Sequence, residues 1–216
     1  IQTMNYLQDI SDSILDGKPK LTEQLISTAL EAGVDPVSII NDALAPTMKT
    51  VGLKYKNEEI YIAKVLSAAR CMKYGLAVIH RYLEETGQEY APKGIIILGT
   101  AAGDLHDVGK NLVGLMFESA GFQVIDLGID VTDKAFIQAV KDHPDAAVVC
   151  ISSLLTTSLE NMKNIVKALN RLPEREHFKI MVGGAPVTQE FARQIGADAY
   201  TDNAYDAAQV AKTYIL

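Results

Sequence analysis

From Gly94 onward, short apolar segments alternate with amphipathic ones, and few folds accommodate that pattern. The apolar segments predict strands at 94–99, 122–127, 146–152, 179–182 and 197–201. The amphipathic segments predict helices at about 109–120, 132–142, 158–171, 188–195 and 204–214. Strands that each lead into a helix favour a five-stranded parallel sheet, doubly wound, with helices on both faces.

Before this region the apolar residues recur at helical spacing. Thr22 is a candidate N-cap for a helix that reaches Ala32, and Asp35-Pro36 predicts the start of the next helix. Pro46 predicts a kink or a break within that helix. With the first segment and the long helix ending at Glu85, the pattern indicates a four-helix bundle.

Thr86–Lys93 is polar and contains Gly and Pro, which is typical of a linker. The sequence therefore predicts two domains, a helical one at 1–88 and an α/β one at 93–216. The stretch from Gly87 to Lys93 is the candidate hinge between them.

Composition excludes several classes of function. A net charge of −7 gives no electrostatic support for nucleic-acid binding. No apolar run reaches the length of about 18 residues that a membrane span requires. No basic segment followed by an apolar core is visible, so the sequence does not predict a secretory signal. Cys71 and Cys150 lie among apolar residues, as expected for small core residues of a reduced, cytoplasmic protein rather than a disulfide.

Three of the predicted strands end in unusual loops. After the first comes Gly103-Asp104-Leu105-His106-Asp107-Val108-Gly109, after the third Ser152-Ser153-Leu154-Leu155-Thr156-Thr157-Ser158, and after the fourth Gly183-Gly184. In a parallel sheet all three loops open on the same edge, where α/β proteins bind ligands. The residues predict a site for a large planar or elongated ligand.

Within this site His106 is the candidate coordinating base. Asp104 is placed to accept a hydrogen bond from the second imidazole nitrogen, and Ser158 is placed to hold Asp104 in turn. Gly183 and Gly184 would let a bulky group approach the backbone. Each residue also has a plainer interpretation: His106 as a surface or packing histidine, Ser158 as an N-cap, and the glycine pair as a turn.

The three-part pattern Asp-x-His-x-x-Gly at 104–109, Ser-x-Leu at 152–154 and Gly-Gly at 183–184 resembles the signature of cobalamin-binding domains. Upstream, Val51-Gly52 and the segment 67–73 resemble the helical cap that precedes this domain in cobalamin-dependent methyltransferases such as methionine synthase. The resemblance covers nearly the whole chain. Its size is similar to that of the corrinoid proteins of methanol, methylamine and O-demethylase systems.

This resemblance implies a Rossmann-like domain in which His106 ligates cobalt and Asp104 and Ser158 complete a ligand relay. It implies that the Gly103–Gly109 loop contacts cobalamin and that the displaced nucleotide tail enters a slot. The implied slot residues are Ser152, Leu154, Thr156, Gly183, Gly184 and, less directly, Ala204. Tyr61, Val65 and Leu66 correspond to cap contacts with the upper face, although a phenylalanine replaces Tyr61 in a related enzyme and bundle core is the plainer interpretation.

The implied function is that of a methyl carrier with no catalysis of its own. Co(I) of bound cobalamin takes a methyl group from a donor-specific methyltransferase, and a second methyltransferase passes it to an acceptor, tetrahydrofolate or a thiol. A reductive activase is the third implied partner. The sequence leaves open the donor (methanol, a methylamine, a betaine or a methoxylated aromatic), the acceptor and the oligomeric state.

Three other functions compete with this one. A cobalamin-dependent sensor shares both domains, but such proteins usually add a DNA-binding region, and this acidic chain has no basic recognition helix. A mutase subunit pairs the cobalamin domain with a barrel, which a helical cap argues against. A nucleotide- or flavin-binding protein would use no cobalt, yet residues 103–109 contain no Gly-x-Gly-x-x-Gly fingerprint.

Overall fold

The first part of the chain is helical, as its apolar spacing predicts. The structure is a computed structural model that describes residues 5–89 and 91–215. The α-helices of this part are α1 (Tyr6–Leu15), α2 (Pro19–Glu31), α3 (Pro36–Ile39), α4 (Ala45–Lys56) and α5 (Ile62–Glu85). A π-helical turn, Ile40–Leu44, joins α3 to α4 into one interrupted helix. The four predicted helical segments are therefore confirmed.

Local chemistry sets where these helices begin. Asp35 accepts a hydrogen bond from the Val37 backbone N–H at 3.2 Å, so the predicted start of α3 is confirmed. The prediction for Thr22 is wrong, because α2 already begins at Pro19. Thr22 is buried one turn inside α2, where its hydroxyl donates to the Lys18 carbonyl and lies 2.7 Å from the Ser13 hydroxyl of α1.

Pro46 explains the interruption between α3 and α4. Proline has no backbone N–H, and its ring crowds the carbonyl of the residue four positions earlier. The helix accommodates the proline through a wider turn, in which the Ala45 N–H donates to the carbonyl of Ile40, five residues earlier. The kink or break predicted at Pro46 thus takes the form of a π-helical turn.

The second part forms the predicted parallel sheet. Its strands are β1 (Ile95–Thr100), β2 (Gln123–Asp126), β3 (Ala146–Ser152), β4 (Lys179–Gly183) and β5 (Ala199–Tyr200). The spatial order is β2-β1-β3-β4-β5, and each neighbouring pair is parallel. From β1 the chain proceeds to β2 on one side and then crosses to β3, β4 and β5 on the other, which places a switch point between the ends of β1 and β3.

Helices cover both faces of this sheet. They are α6 (Val108–Ser119), α7 (Asp133–Asp142), α8 (Leu159–Asn170), α9 (Gln189–Ile195) and α10 (Ala204–Thr213). On one face α6 packs against α10, and on the other α7 packs against α8. Successive residues of β1 point to opposite faces: Ile97 joins the core cluster of α7 and α8, whereas Leu98 contacts α6 at Gly114. The predicted doubly wound α/β fold is confirmed.

The chain divides into two compact units between Ala91 and Pro92. Cys71 of the first unit and Cys150 of the second are both buried and free, and burial raises the pKa of the Cys150 thiol to about 12. Among the described residues, no helix combines the length and the apolar character that crossing a membrane requires.

Candidate functional site

The three loops selected from the sequence meet at one edge of the sheet. At the carboxyl ends of the strands, Thr100 of β1 pairs with Ser152 of β3, and Ser152 pairs with Gly183 of β4. The loops that follow these residues therefore start side by side although 83 positions separate Thr100 from Gly183 in the sequence. This edge includes the switch point of the sheet, where ligands bind in doubly wound folds.

The first loop turns His106 onto the Asp104 carboxylate. One carboxylate oxygen, Oδ1, lies 2.7 Å from Nδ1 of the His106 ring and 3.0 Å from the His106 backbone nitrogen. Asp104 is fully buried, whereas 52% of the His106 side chain is exposed. The ring is thus fixed along one side and open on the other.

This contact selects the tautomer of His106. An ionised carboxylate can only accept hydrogen bonds, so the proton of the neutral ring resides on Nδ1. Nε2, on the opposite side of the ring, then carries the lone pair that a metal ion requires. The geometry prepares His106 as a ligand through Nε2.

The second oxygen of Asp104 is held by the loop after β3. Oδ2 accepts the backbone N–H groups of Leu154 at 2.6 Å and Leu155 at 3.2 Å, and the Ser158 hydroxyl lies 3.2 Å away. Ser158 is buried and also contacts the hydroxyl of Ser153. Asp104, His106 and Ser158 therefore form one connected unit.

Opposing effects act on the pKa of Asp104. Burial would raise it, but hydrogen bonds from the backbone of Leu154 and His106, from the His106 ring and from Ser158 lower the pKa to about 2. The carboxylate is therefore ionised at neutral pH. It can balance a positive charge on the imidazole without taking up a proton.

The surface beside His106 is apolar and open. Leu105 is 69% exposed, Val108 is 57% exposed and Leu154 is 37% exposed. Asp107 and Gly109 are also exposed, and a Cβ added to Gly109 would meet no protein atom within 4 Å. The protein's own packing gives no reason for these exposed apolar groups, and they fit a large apolar ligand above the ring.

The glycine pair after β4 has a packing role as well. Gly184 has a φ of +125°, and a Cβ there would overlap the Ser153 carbonyl; at Gly183 a Cβ would lie 3.1 Å from the Thr201 carbonyl. The loop after β3 can lie this close to Gly184 only because that position lacks a side chain, and Gly183 leaves room for the segment after β5.

The remaining predicted residues are more scattered. Ser152 is half-buried and Thr156 is exposed, both on the β3 loop, and Ala204 is the buried first residue of α10. In the helical unit, Tyr61 is 89% exposed and Leu66 is 44% exposed, whereas Val65 is buried. Of these three, Tyr61 and Leu66 present side chains that a ligand could touch.

Sequence reasoning missed two residues that shape the His106 loop. The Thr100 hydroxyl donates to the His106 carbonyl at 3.0 Å and lies 3.1 Å from the Ser152 hydroxyl. Asp130 accepts the Gly103 N–H at 2.8 Å, and its own N–H donates to the Asp104 carbonyl. Both residues lie at or just after a strand's carboxyl end, and the rule that selected the three loops could have found them.

The donor set suits a metal that brings most of its own ligands. In the described part of the chain, no group of three or more His, Cys, Asp or Glu side chains could hold a metal ion. His106 offers one nitrogen, which fits a metal whose other positions are filled by a macrocycle. Cobalt in a corrin ring meets that description, and the exposed apolar side chains beside His106 suit the ring itself.

Comparisons with known proteins agree with this site. A family model described as "B12 binding domain" matches residues 94–209, and a second model of the same description matches residues 6–80. The trimethylamine corrinoid protein of Methanosarcina barkeri is 39% identical over 201 residues, which cover 93% of this chain and 92% of that protein. The dimethylamine corrinoid protein 1 of Methanosarcina mazei is 36% identical over 210 residues, which cover 97% of this chain and 96% of that protein.

A solved structure shares the fold over nearly the whole chain. It is the methanol:cobalamin methyltransferase complex MtaBC from Methanosarcina barkeri, with a TM-score of 0.85 and 28% sequence identity. The match covers 99% of this chain and 80% of the matched one.

Proposed function

The chain belongs to the B12-binding corrinoid proteins of methyltransferase systems, and from that premise we propose that it carries methyl groups between two partner methyltransferases. Its cofactor is cobalamin. When bound, cobalamin supplies the cobalt centre that receives and releases the methyl group. The protein holds that centre, orients it and exposes it to partner enzymes.

The observation that carries the proposal is the bond between Asp104 and His106. Because Oδ1 fixes the proton on Nδ1, His106 would hold cobalt through Nε2. The exposed ring and its apolar surroundings support the same role. The cofactor would lie against four residues of the His106 loop: Leu105, Asp107, Val108 and Gly109. Gly103 would allow the turn that leads into this loop.

The relay controls a proton at Nε2. Whenever His106 is not bound to the metal, Nε2 would be free to accept a proton, and the ionised Asp104 would stabilise the resulting imidazolium. Ser158 and the backbone N–H groups of the β3 loop keep the carboxylate in place during this change. Protonation of the unit would therefore favour the state in which His106 is unligated.

We propose further contacts for the remaining parts of the cofactor. A slot for the displaced nucleotide tail would be lined by Ser152, Leu154, Thr156, Gly183, Gly184 and Ala204. The ends of β3 and β4 lie side by side at one edge of the sheet, and the first five of these residues are at or just after those ends, which supports this proposal. Tyr61, Val65 and Leu66 would cover the methyl-bearing face, with the exposed Tyr61 and Leu66 as the first contacts to test.

The methyl donor is selected, in this proposal, by the partner and not by this chain. The trimethylamine and dimethylamine relatives match almost equally well, at 39% and 36% identity. The sequence therefore matches carriers named for two different donors about equally and singles out neither donor. A donor-specific methyltransferase would supply the methyl group, an acceptor methyltransferase would pass it to tetrahydrofolate or a thiol, and a reductive activase would restore Co(I).

The test is the absorption spectrum of protein reconstituted anaerobically with methylcobalamin, with wild type compared with His106→Ala. We expect stoichiometric binding and a histidine-ligated, tail-displaced spectrum for wild type, and loss of that spectrum in His106→Ala. His177→Ala is the matched control, because His177 is exposed and precedes β4 at the other edge of the sheet.

Two results would overturn the proposal. Wild type that binds no cobalamin removes the cofactor and the methyl-transfer role together. An unchanged spectrum in His106→Ala removes His106 as the ligand.

A further inference from the structure

Lys110 makes a buried ion pair four residues after His106. It lies in the first turn of α6 and is 4% exposed. Its Nζ donates to Oδ2 of Asp126, at the end of β2, at 2.6 Å and to Oδ1 of Asn111 at 2.7 Å. The sequence did not predict this pair, because 16 positions separate the two residues and only the packing of α6 on β2 brings them together.

A lysine is an unfavourable choice at this position. The first turn of a helix disfavours positive charge, because the unpaired N–H groups already make that end positive. Lysine is almost never fully buried unless it is paired. Buried ion pairs are poor evidence for stability, and where they persist a role in specifying geometry is the alternative to test.

The geometry in question is that of the loop between Asp104 and Lys110. Asp126 also accepts the Gly128 N–H, through Oδ1, at 2.8 Å. Two residues later, Asp130 accepts the Gly103 N–H at 2.8 Å and donates its own N–H to the Asp104 carbonyl at 3.0 Å. The loop after β2 thus holds both ends of the His106 loop.

We propose that Lys110 and Asp126 form a positioning pair for His106. Asp104 sets the tautomer of the ring, and the ion pair fixes the far end of the loop so that the ring stays where Nε2 can reach the metal. The inference rests on the proposed function, since it assigns the pair to the same ligand. Its signature is weaker ligation by His106 with a loss of cobalamin affinity no greater than the loss of ligation, because the pair does not itself touch the cofactor in this account.

The test uses Lys110→Met, which keeps the length of the side chain and removes its charge. Asp126 is left with 44% of its side chain exposed and so remains solvated. The double variant Lys110→Met/Asp126→Asn removes both charges and keeps an acceptor for Gly128. Arg193→Met is the matched control, because it breaks the exposed pair with Glu190 in α9.

Three readouts separate positioning from general destabilisation. Amide hydrogen exchange of the cofactor-free protein measures the loop directly, the spectrum with methylcobalamin gives the histidine-ligated fraction, and titration calorimetry gives the affinity. In both Lys110 variants we expect exchange of residues 105–110 to quicken about tenfold and the ligation equilibrium to shift about tenfold, the size of one charge-assisted hydrogen bond. We expect the affinity to fall by no more than the ligation equilibrium shifts, and the melting temperature to stay near that of wild type and the control.

Loop exchange and ligation equal to wild type in both variants would overturn the inference. So would a loss of affinity that exceeds the loss of ligation, because that result describes general destabilisation of the site. Failure of wild type itself to show histidine ligation would instead reject the proposed function, and the exchange measurement on cofactor-free protein would still judge the pair.

Discussion

Each oxygen of the Asp104 carboxylate serves a different part of the chain. Oδ1 binds the ring and the backbone N–H of His106, and Oδ2 binds the loop after β3. One buried side chain therefore fixes both the tautomer of the candidate ligand and the position of that ligand against a neighbouring strand. The pattern Asp-x-His suggested the contact between Oδ1 and His106. The contact between Oδ2 and the loop after β3 depends on the order of the strands, and a two-residue spacing carries no information about that order.

The ionised state of Asp104 stabilises the fold in a defined pH range. Its pKa falls from the ordinary 3.8 to about 2. A lowered pKa contributes stability that is complete above the unfolded value and is lost as the pH falls through the folded one. The shift corresponds to about 2 kcal/mol of unfolding free energy.

We therefore expect the unfolding free energy of the cofactor-free protein to lose about 2 kcal/mol more than that of Asp104→Asn between pH 4 and pH 2. Urea unfolding at several pH values measures this difference. Parallel curves for the two proteins across that range would contradict the assignment.

At the scale of elements, the alternation of segments was sufficient to predict the sheet. Apolar runs such as Ile95–Leu98 and Ala146–Ser152 are too short for buried helices and lead directly into amphipathic segments. The ends of elements were harder to predict. Thr22 resembles an N-cap, yet its hydroxyl is used in a contact between α1 and α2, and Pro19 is the residue that opens the helix.

The Lys110–Asp126 pair was missed because it arises from how one element packs against another. The ion pair needs the register of α6 on β2, and it leaves no local pattern in the sequence. Pro46, by comparison, is a local signal: it predicted the interruption of the helix but not that the interruption is a π-helical turn. The site loops, in contrast, follow from a general property of parallel sheets and needed no knowledge of packing.

The turn between β4 and α9 tests the packing of two loops. Gly184→Ala should lower the unfolding free energy by more than about 3 kcal/mol, since it combines backbone strain with overlap of the Ser153 carbonyl. Gly128→Ala is the matched control: its φ is +89°, but a Cβ there meets nothing within 4 Å. Strain alone predicts a cost of about 1–2 kcal/mol. If urea unfolding gave equal losses of unfolding free energy for the two variants, the overlap with the Ser153 carbonyl would be relieved at little cost in free energy.

At the scale of the whole molecule, the division between Ala91 and Pro92 falls within the polar segment that the sequence predicts to be a hinge. One residue of that segment, Tyr90, lies outside the described part of the chain. The proposed carrier must present its cofactor to partner active sites. A flexible connection between the helical and α/β units would permit this.

Stiffening residues 87–93 by a cross-link should slow methyl transfer and leave cobalamin affinity unchanged. Transfer from methylcobalamin-loaded protein to an acceptor methyltransferase gives the rate, and titration with cobalamin gives the affinity. The same cross-linking chemistry on an exposed pair in α9 controls for the reagent. Equal transfer rates in stiffened and unmodified protein would count against the hinge.

The contact between Asp104 and Leu154 also sets an order of events during synthesis. Fifty positions separate these residues, and Ser158 lies four further on. A chain still growing on the ribosome holds His106 long before it holds the loop that anchors the neighbouring carboxylate. At about 5–20 residues per second, roughly three to ten seconds pass between the two. During that interval the nascent protein lacks the groups that hold Oδ2 of Asp104, so the complete unit of Asp104, His106 and Ser158 forms only after translation has passed Ser158.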